Sequence, residues 1–424
     1  MIEFFSIILS SVTIFSLFNG NNIFFDFKTN KNIFKKIVIS LIIIFNIFLF
    51  FSFLPNGINY LIYLIFILVL LNLISFLKNL FNFTFLLFLI LNFVLFLQIA
   101  SNPILGWDGQ AIWYAKAYNY FNGGNFLNLS EFTKSNYPHL GGYIWAIFWK
   151  ISFLNYEYLG RFVYIFTFLS SLFFINSYNK NIKIKNILII YSIFLICFDL
   201  DIFRGYQEYL IFSFLNIYII LHYNEKNQKS LFFLALLIIN IIVWIKNEGL
   251  IYSFPIFALY VLKQKRILCK ENLFFLILYS LIICFRLYLS TTINQNFNFH
   301  GNDFSFGSIT KEIFNFTTFG SDFIIIMKHF IISYFKYPIW IFLFIFLIFP
   351  ESSIKRKKIY HDTILIFIFS FLINFLIFHI QRTDILEWHL SAALDRLNLI
   401  LAGYFVYFIY CNINNYLDKF LFNE

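Results

Sequence analysis

Long apolar runs, broken at short intervals by polar clusters, fill this sequence from end to end. About 13 of them reach, or nearly reach, the roughly 17–25 residues that a helix needs to cross a bilayer. They lie near residues 2–18, 37–54, 58–77, 82–100, 157–176, 187–200, 206–222, 231–245, 249–262, 272–290, 325–349, 363–380 and 396–412. None shows the alternation of a membrane barrel strand, so the pattern predicts an all-α, polytopic transmembrane protein. The stretch 140–154 is apolar too, but it is bordered or interrupted by His139, Gly141, Gly142 and Lys150. It reads as a re-entrant or surface-lying helix, not a crossing.

A chain that is 61% hydrophobic, 24% aromatic and 12% charged is not a soluble domain. Its charges are therefore informative, because one at the centre of a bilayer helix costs roughly 2.5–3.5 kcal/mol. Lys28, Lys31, Lys35 and Lys36 fill the first loop; Lys180, Lys183 and Lys185 fill another. Lys263, Lys265, Arg266 and Lys270 form a third group, and Lys355, Arg356, Lys357 and Lys358 a fourth. With 140–154 not crossing, all four fall on one side, which is then the cytoplasm. The N-terminus is expected outside and the tail 413–424 inside. Met1-Ile2-Glu3-Phe4 offers no positive n-region of a signal peptide. The net charge of +10 follows from this topology and suits anionic lipid, not nucleic acid. Cys197, Cys269, Cys284 and Cys411 have no CxxC spacing and read as packing residues. The many Asn residues carry no functional weight in this reading.

The remaining polar groups all fall on the other face. The loop 101–139 holds Trp107-Asp108, Tyr114 and Tyr137-Pro138-His139; Glu157 and Arg161 open the next span. Then come Asp199, Asp201, Arg204 and Glu208, and the run Trp244-Ile245-Lys246-Asn247-Glu248-Gly249. The loop 291–324 adds His300, Asp303, Glu312 and Asp322, and the last group is Arg382, Asp384, Glu387, Trp388, His389, Asp395 and Arg396. Arg204 and Glu208, four apart, also fit a plain helical ion pair, and His379 a core residue. The run Asn186–Phe198 and the run 231–245 would reach only roughly 20–22 Å into a core of about 30 Å. Their polar ends are thus expected to line a cavity sunk into the outer leaflet, suited to a phosphate head group on a lipid tail.

In this order, these motifs resemble the multispanning GT-C glycosyltransferases, the group of the protein O-mannosyltransferases and the aminoarabinose and arabinofuranosyl transferases. Trp107-Asp108 followed by Tyr137-Pro138-His139 resembles the first outer loop, and Glu157…Arg161 the Glu-x-x-x-Arg that opens the following span. Asp199-Leu200-Asp201…Glu208 resembles the second acidic element, and Lys246-Asn247-Glu248-Gly249 a Lys-x-Glu-Gly stretch. Trp388-His389-Leu390…Leu394-Asp395-Arg396-Leu397 resembles a C-terminal motif of bacterial members. The likeness covers about residues 80–412. The acidic loop follows the fourth span here and the first in most relatives, so 1–77 reads as added N-terminal helices. The catalytic module is then 78–412, with outer loops 101–156 and 291–324.

The resemblance implies a polyprenyl-phosphate sugar as donor and an envelope glycan, lipid or protein as acceptor, in the inner cell membrane with the site facing outwards. It places the general base on Asp108, with Asp199 and Asp201 as further catalytic carboxylates. Lys246, Arg396, Arg382 and His389 would meet the donor phosphate. Trp107, Tyr137, His139, Glu208 and Glu248 would line the substrates. No cofactor is required, although the acidic groups suit a divalent metal through oxygen ligands. Neither GxGxxG nor GxxxxGK[ST] occurs, which disfavours a nucleotide-sugar donor. Two other readings fit parts of the pattern: an O-antigen polymerase or ligase, and a multispanning transporter.

Overall fold

The computed structural model describes residues 2–19, 32–132, 135, 137–152, 156–178, 184–264, 269–294, 319–355, 357–380 and 386–422. Every apolar run is helical, and no strand occurs among the described residues. Seven helices are long and apolar enough to cross a membrane, or up to nine if each of two bent pairs is one span. The fold is therefore all-α and polytopic. The chain divides into two compact units, Met1–Ile187 with Asp199–Phe297, and Leu188–Phe198 with Asn298–Glu424.

The first unit holds α1 (Ile2–Phe18), α2 (Ile33–Ser52), α3 (Gly57–Asn79), α4 (Phe83–Ser101), α5 (Ala115–Phe121), α6 (Leu140–Ile151) and α7 (Phe162–Phe173). After α8 (Ile184–Cys197) it continues with α9 (Glu208–Asn224), α10 (Gln228–Ile245), α11 (Glu248–Tyr252), α12 (Phe254–Lys263) and α13 (Lys270–Asn294). Its centre is α7, buried along its whole length and packed on α9. By contrast α3, α4 and α13 expose apolar faces, with Leu70, Leu71, Ile90, Leu281 and Tyr288 outermost, as lipid contact demands.

Asparagine, given no role above, has two structural ones. Asn32, Asn82 and Asn227 cap α2, α4 and α10, accepting from Phe34, Phe85 and Lys229 amides at 3.0, 3.1 and 3.1 Å. Others tie helices together in apolar surroundings: Asn240 donates to Asn46 at 2.8 Å, and Asn216 to the Ser171 carbonyl at 3.0 Å.

The helix α6 corrects one expectation. Its 12 residues span about 18 Å, too little to cross. Yet all but Lys150 are buried, so it does not lie on a surface. It packs among α2, α5, α7 and α10.

The second unit holds α14 (Phe319–Lys336), α15 (Pro338–Ile348), α16 (Ser352–Lys355), α17 (Lys358–Ile380), α18 (Leu386–Ala402) and α19 (Val406–Phe422). The run 325–349 is not one straight span, because α14 and α15 meet at 97°. Pro338 forces the break: it has no N–H to continue the helix, and Tyr337 before it is extended. The run 396–412 also lies across a break, a 56° bend between α18 and α19 at the turn Gly403–Phe405. Beyond it α19 carries the expected tail on as helix to Phe422. Lys336 of α14 pairs with Asp395 of α18, and Lys419 with buried Glu351 at 2.7 Å. Burial opposes ionisation of Glu351, but Lys419, Ser353 and Ser352 outweigh it and hold the carboxyl well below its usual range.

Candidate functional site

Asp108 sits half-exposed at the start of a π-helical turn, Gly109–Tyr114, with Trp107 beside it 71% exposed. Such turns are rare and recur at functional sites. The loop is held from below by the segment after α8. The Gly106 amide donates to the Arg204 carbonyl at 3.0 Å, and a Cβ on Gly109 would come within 2.2 Å of that same oxygen. Only glycine allows so close an approach. Gly205, at φ +79°, turns the chain there and packs under Leu105 and Trp145. The two acidic elements singled out from the sequence, Asp108 and the run from Asp199, thus share one backbone seam. Asp199 is half-buried, and its carbonyl accepts from the Tyr209 hydroxyl at 3.5 Å. The side chain of Asp201 lies outside the described residues.

Arg161 locks this seam. Its guanidinium is fully buried and donates to the carbonyls of Pro103 (2.8 Å), Ile104 (3.4 Å) and Phe203, and to Glu157 Oε1 (2.9 Å). It lies 5.7 Å from the Trp145 ring, whose Nε1 donates to the Glu157 carbonyl at 2.9 Å. The Glu-x-x-x-Arg element is therefore a clamp on two loops.

Lys246 ends α10 as α9 begins with Glu208, because the short 225–227 connection folds these helices back on each other. Its ammonium, 4% exposed, meets Glu208 Oε1 at 2.9 Å and Glu248 Oε1 at 3.2 Å. Two carboxylates on one cation leave this junction with its positive charge already answered. Between them Asn247 Oδ1 accepts from Arg286 at 3.0 Å, and Arg286 lies 5.0 Å from the Trp244 ring.

His139 is buried at the start of α6 with its Nε2 2.7 Å from Ser52 Oγ. Ser52 spends its own proton on the Leu49 carbonyl at 2.6 Å, so Nε2 carries the proton and donates. Burial, then Lys116 and Arg286, push this imidazole well below its ordinary value, in keeping with a neutral ring. Phe53, Phe126 and Trp244 pack around it at 5.3, 4.8 and 5.4 Å. Tyr137 is half-buried, its carbonyl accepting from Lys116.

Sequence reasoning passed over Arg286 and Lys116. Arg286 had a legible signal, as the single charge in α13 after Glu271, costly in a span unless it is used.

The remaining expected residues belong to the second unit. His389 is half-exposed beside Trp388, which is 61% exposed; Arg396 donates from Nε to the Ala392 carbonyl at 3.2 Å. Arg382, Asp384, His300, Asp303 and Glu312 lie outside the described residues. His379 approaches Asp322 at 3.3 Å, both buried. Among the described residues no group of three His, Cys, Asp or Glu gathers as a metal ion would need, and the four cysteines are unpaired.

The class these features define is a polytopic helical membrane protein with its polar chemistry gathered at helix ends. Compared with protein-family models, curated proteins and solved structures, the chain matches none.

Proposed function

We propose that this chain is a membrane glycosyltransferase that moves a sugar from a polyprenyl-phosphate donor to an envelope acceptor on the outer face. One observation carries the reading: Asp108 is a half-exposed carboxylate beside exposed Trp107, on a loop seamed to the second acidic element through Arg204. An accessible carboxylate on a rigid support is what a general base requires. Asp108 would take the proton of the acceptor hydroxyl as that oxygen bonds the anomeric carbon. The bond from that carbon to the phosphate oxygen breaks, and polyprenyl phosphate leaves with the electron pair. Since Lys246 already serves Glu208 and Glu248, the leaving charge falls in this reading to Arg396, Arg382 and His389. The proposal keeps 13 crossings by adding α1, α8, α9 and the α11–α12 pair to the nine candidate spans, with the N-terminus outside.

The test is release of polyprenyl phosphate by purified protein in lipid nanodiscs. A panel of polyprenyl-phosphate hexoses and pentoses would be offered with envelope extract, comparing wild type with Asp108→Asn. Turnover is expected in wild type, and the folded variant should lose about 10²–10⁴-fold. Equal turnover in the variant would remove Asp108 from the role of base. Absence of turnover with every donor would overturn the transfer reading in favour of polymerisation or transport.

A further inference from the structure

The facing sides of α5 and α6 carry an unusual ledger of hydrogen bonds. Trp113, Lys116 and Tyr120 recur at i, i+3 and i+7, and His139 and Tyr143 at i and i+4, so each set shares one helix face. The two helices pack together, with the Tyr120 ring 4.7 Å from that of Tyr143 and 5.9 Å from His139. Gly142 keeps them close: a Cβ there would come within 3.1 Å of Lys116 Cβ. All five side chains are at most 1% exposed.

Nearly every polar atom in this shell is a donor. Lys116 has three N–H groups, and the bond it makes goes to the Tyr137 carbonyl. His139 donates to Ser52, as shown above. The hydroxyls of Tyr120 and Tyr143 and Nε1 of Trp113 find no partner among the described residues. Buried polar atoms are rarely left so. The charge that acts most on Lys116 is of its own sign, that of Arg286, and with burial it holds the ammonium well below its ordinary value. Arg286 reaches the shell through Trp244, which its guanidinium overlies and which packs on His139. Cations without a carboxylate, surrounded by unused O–H and N–H groups, call for an acceptor with several oxygens and negative charge.

We infer that the shell formed by Trp113, Lys116, Tyr120 and Tyr143, backed by His139 and Arg286, is a binding site for a phosphate group. A tetrahedral oxyanion offers lone pairs in several directions at once, which a carboxylate does not. The phosphate comes either free or as the head group of a lipid. The inference goes beyond the transfer reading and does not need it, since binding is measured without a sugar donor.

The experiment is titration calorimetry on the full-length protein in nanodiscs of zwitterionic lipid, with inorganic phosphate in one arm and dodecyl phosphate in the other. Saturable binding is expected in at least one arm. It should weaken by about tenfold or more in Lys116→Gln and by about tenfold in the double variant Tyr120→Phe/Tyr143→Phe. Tyr118→Phe, on the exposed side of α5, should bind as wild type. Binding in both arms identifies free phosphate as sufficient; binding of dodecyl phosphate alone identifies a lipid head group. Should Lys116→Gln fail to fold, the double variant, which removes two hydroxyls and no bulk, carries the test. No saturable binding in either arm, or equal binding in wild type and the double variant, overturns the inference and leaves the hydroxyls to buried water.

Discussion

The Lys246 junction and the Asp108 loop are both acidic, both built at helix ends and both within the first unit, yet they are made in opposite ways. At Lys246 the protein supplies every partner: two carboxylates close on one buried ammonium. At Asp108 the protein fixes the backbone through Gly106 and Gly109 but leaves the carboxylate half-exposed beside an exposed indole. Charge sealed inside a fold holds the fold together and is expensive to disturb. Charge held at the surface by a rigid backbone costs little to remove, and what it offers is directed at something outside the chain.

Substitutions can break that contrast or sharpen it. The largest effect is expected from Lys246→Met or Arg161→Met. Each strands buried acceptors, so unfolding in detergent should show a loss of about 3–5 kcal/mol; a loss under about 1 kcal/mol would mean that these clamps are not structural. Gly109→Ala comes next. Its new methyl meets the Arg204 carbonyl, a backbone atom that cannot swing aside, and the expected cost is about 1–3 kcal/mol.

A third effect depends on pH. His139 has a depressed value in the fold, so between that value and about 6.5 the unfolded chain binds a proton that the native one refuses. Its share of stability is complete above about pH 6.5 and declines as pH falls, by up to about 1.4 kcal/mol per unit. Melting curves from pH 7.5 to 5 should show this slope in wild type and a shallower one in His139→Gln. The smallest effect is expected from Asp108→Asn and Trp107→Ala, both within about 0.5 kcal/mol of wild type. A large loss there would mean that the Asp108 loop is sealed like the Lys246 junction, and the contrast would fail.

The helices themselves were legible, because an apolar run of bilayer length has few alternatives once its backbone must satisfy itself. Pro338 announced its own break, and a pattern of apolar positions alone hid it. The brevity of α6 was also readable, but not its burial, which depends on four neighbouring helices. Glu208 was visible as an acidic residue near the Asp199 run, and Lys246 as a cation at a span end. That they meet follows only once α9 and α10 are seen to fold back across a three-residue connection, bringing the start of one to the end of the other. Lys116 was hidden differently. In a loop rich in polar residues it looked solvated, and only its i, i+3, i+7 register with Trp113 and Tyr120 hinted at a common face.

The Arg161 clamp has a consequence for biogenesis. Its guanidinium joins Ile104, made 57 residues before it, to Phe203, made 42 residues after it. At synthesis rates of about 5–20 residues per second, the 103–109 segment waits roughly 5–20 s between its own emergence and that of its last anchor. During that interval the polypeptide around Asp108 is a free tether between inserted helices, open to proteases and to early modification. A pulse of protease applied to stalled chains should cut there until Phe203 has emerged, and not after.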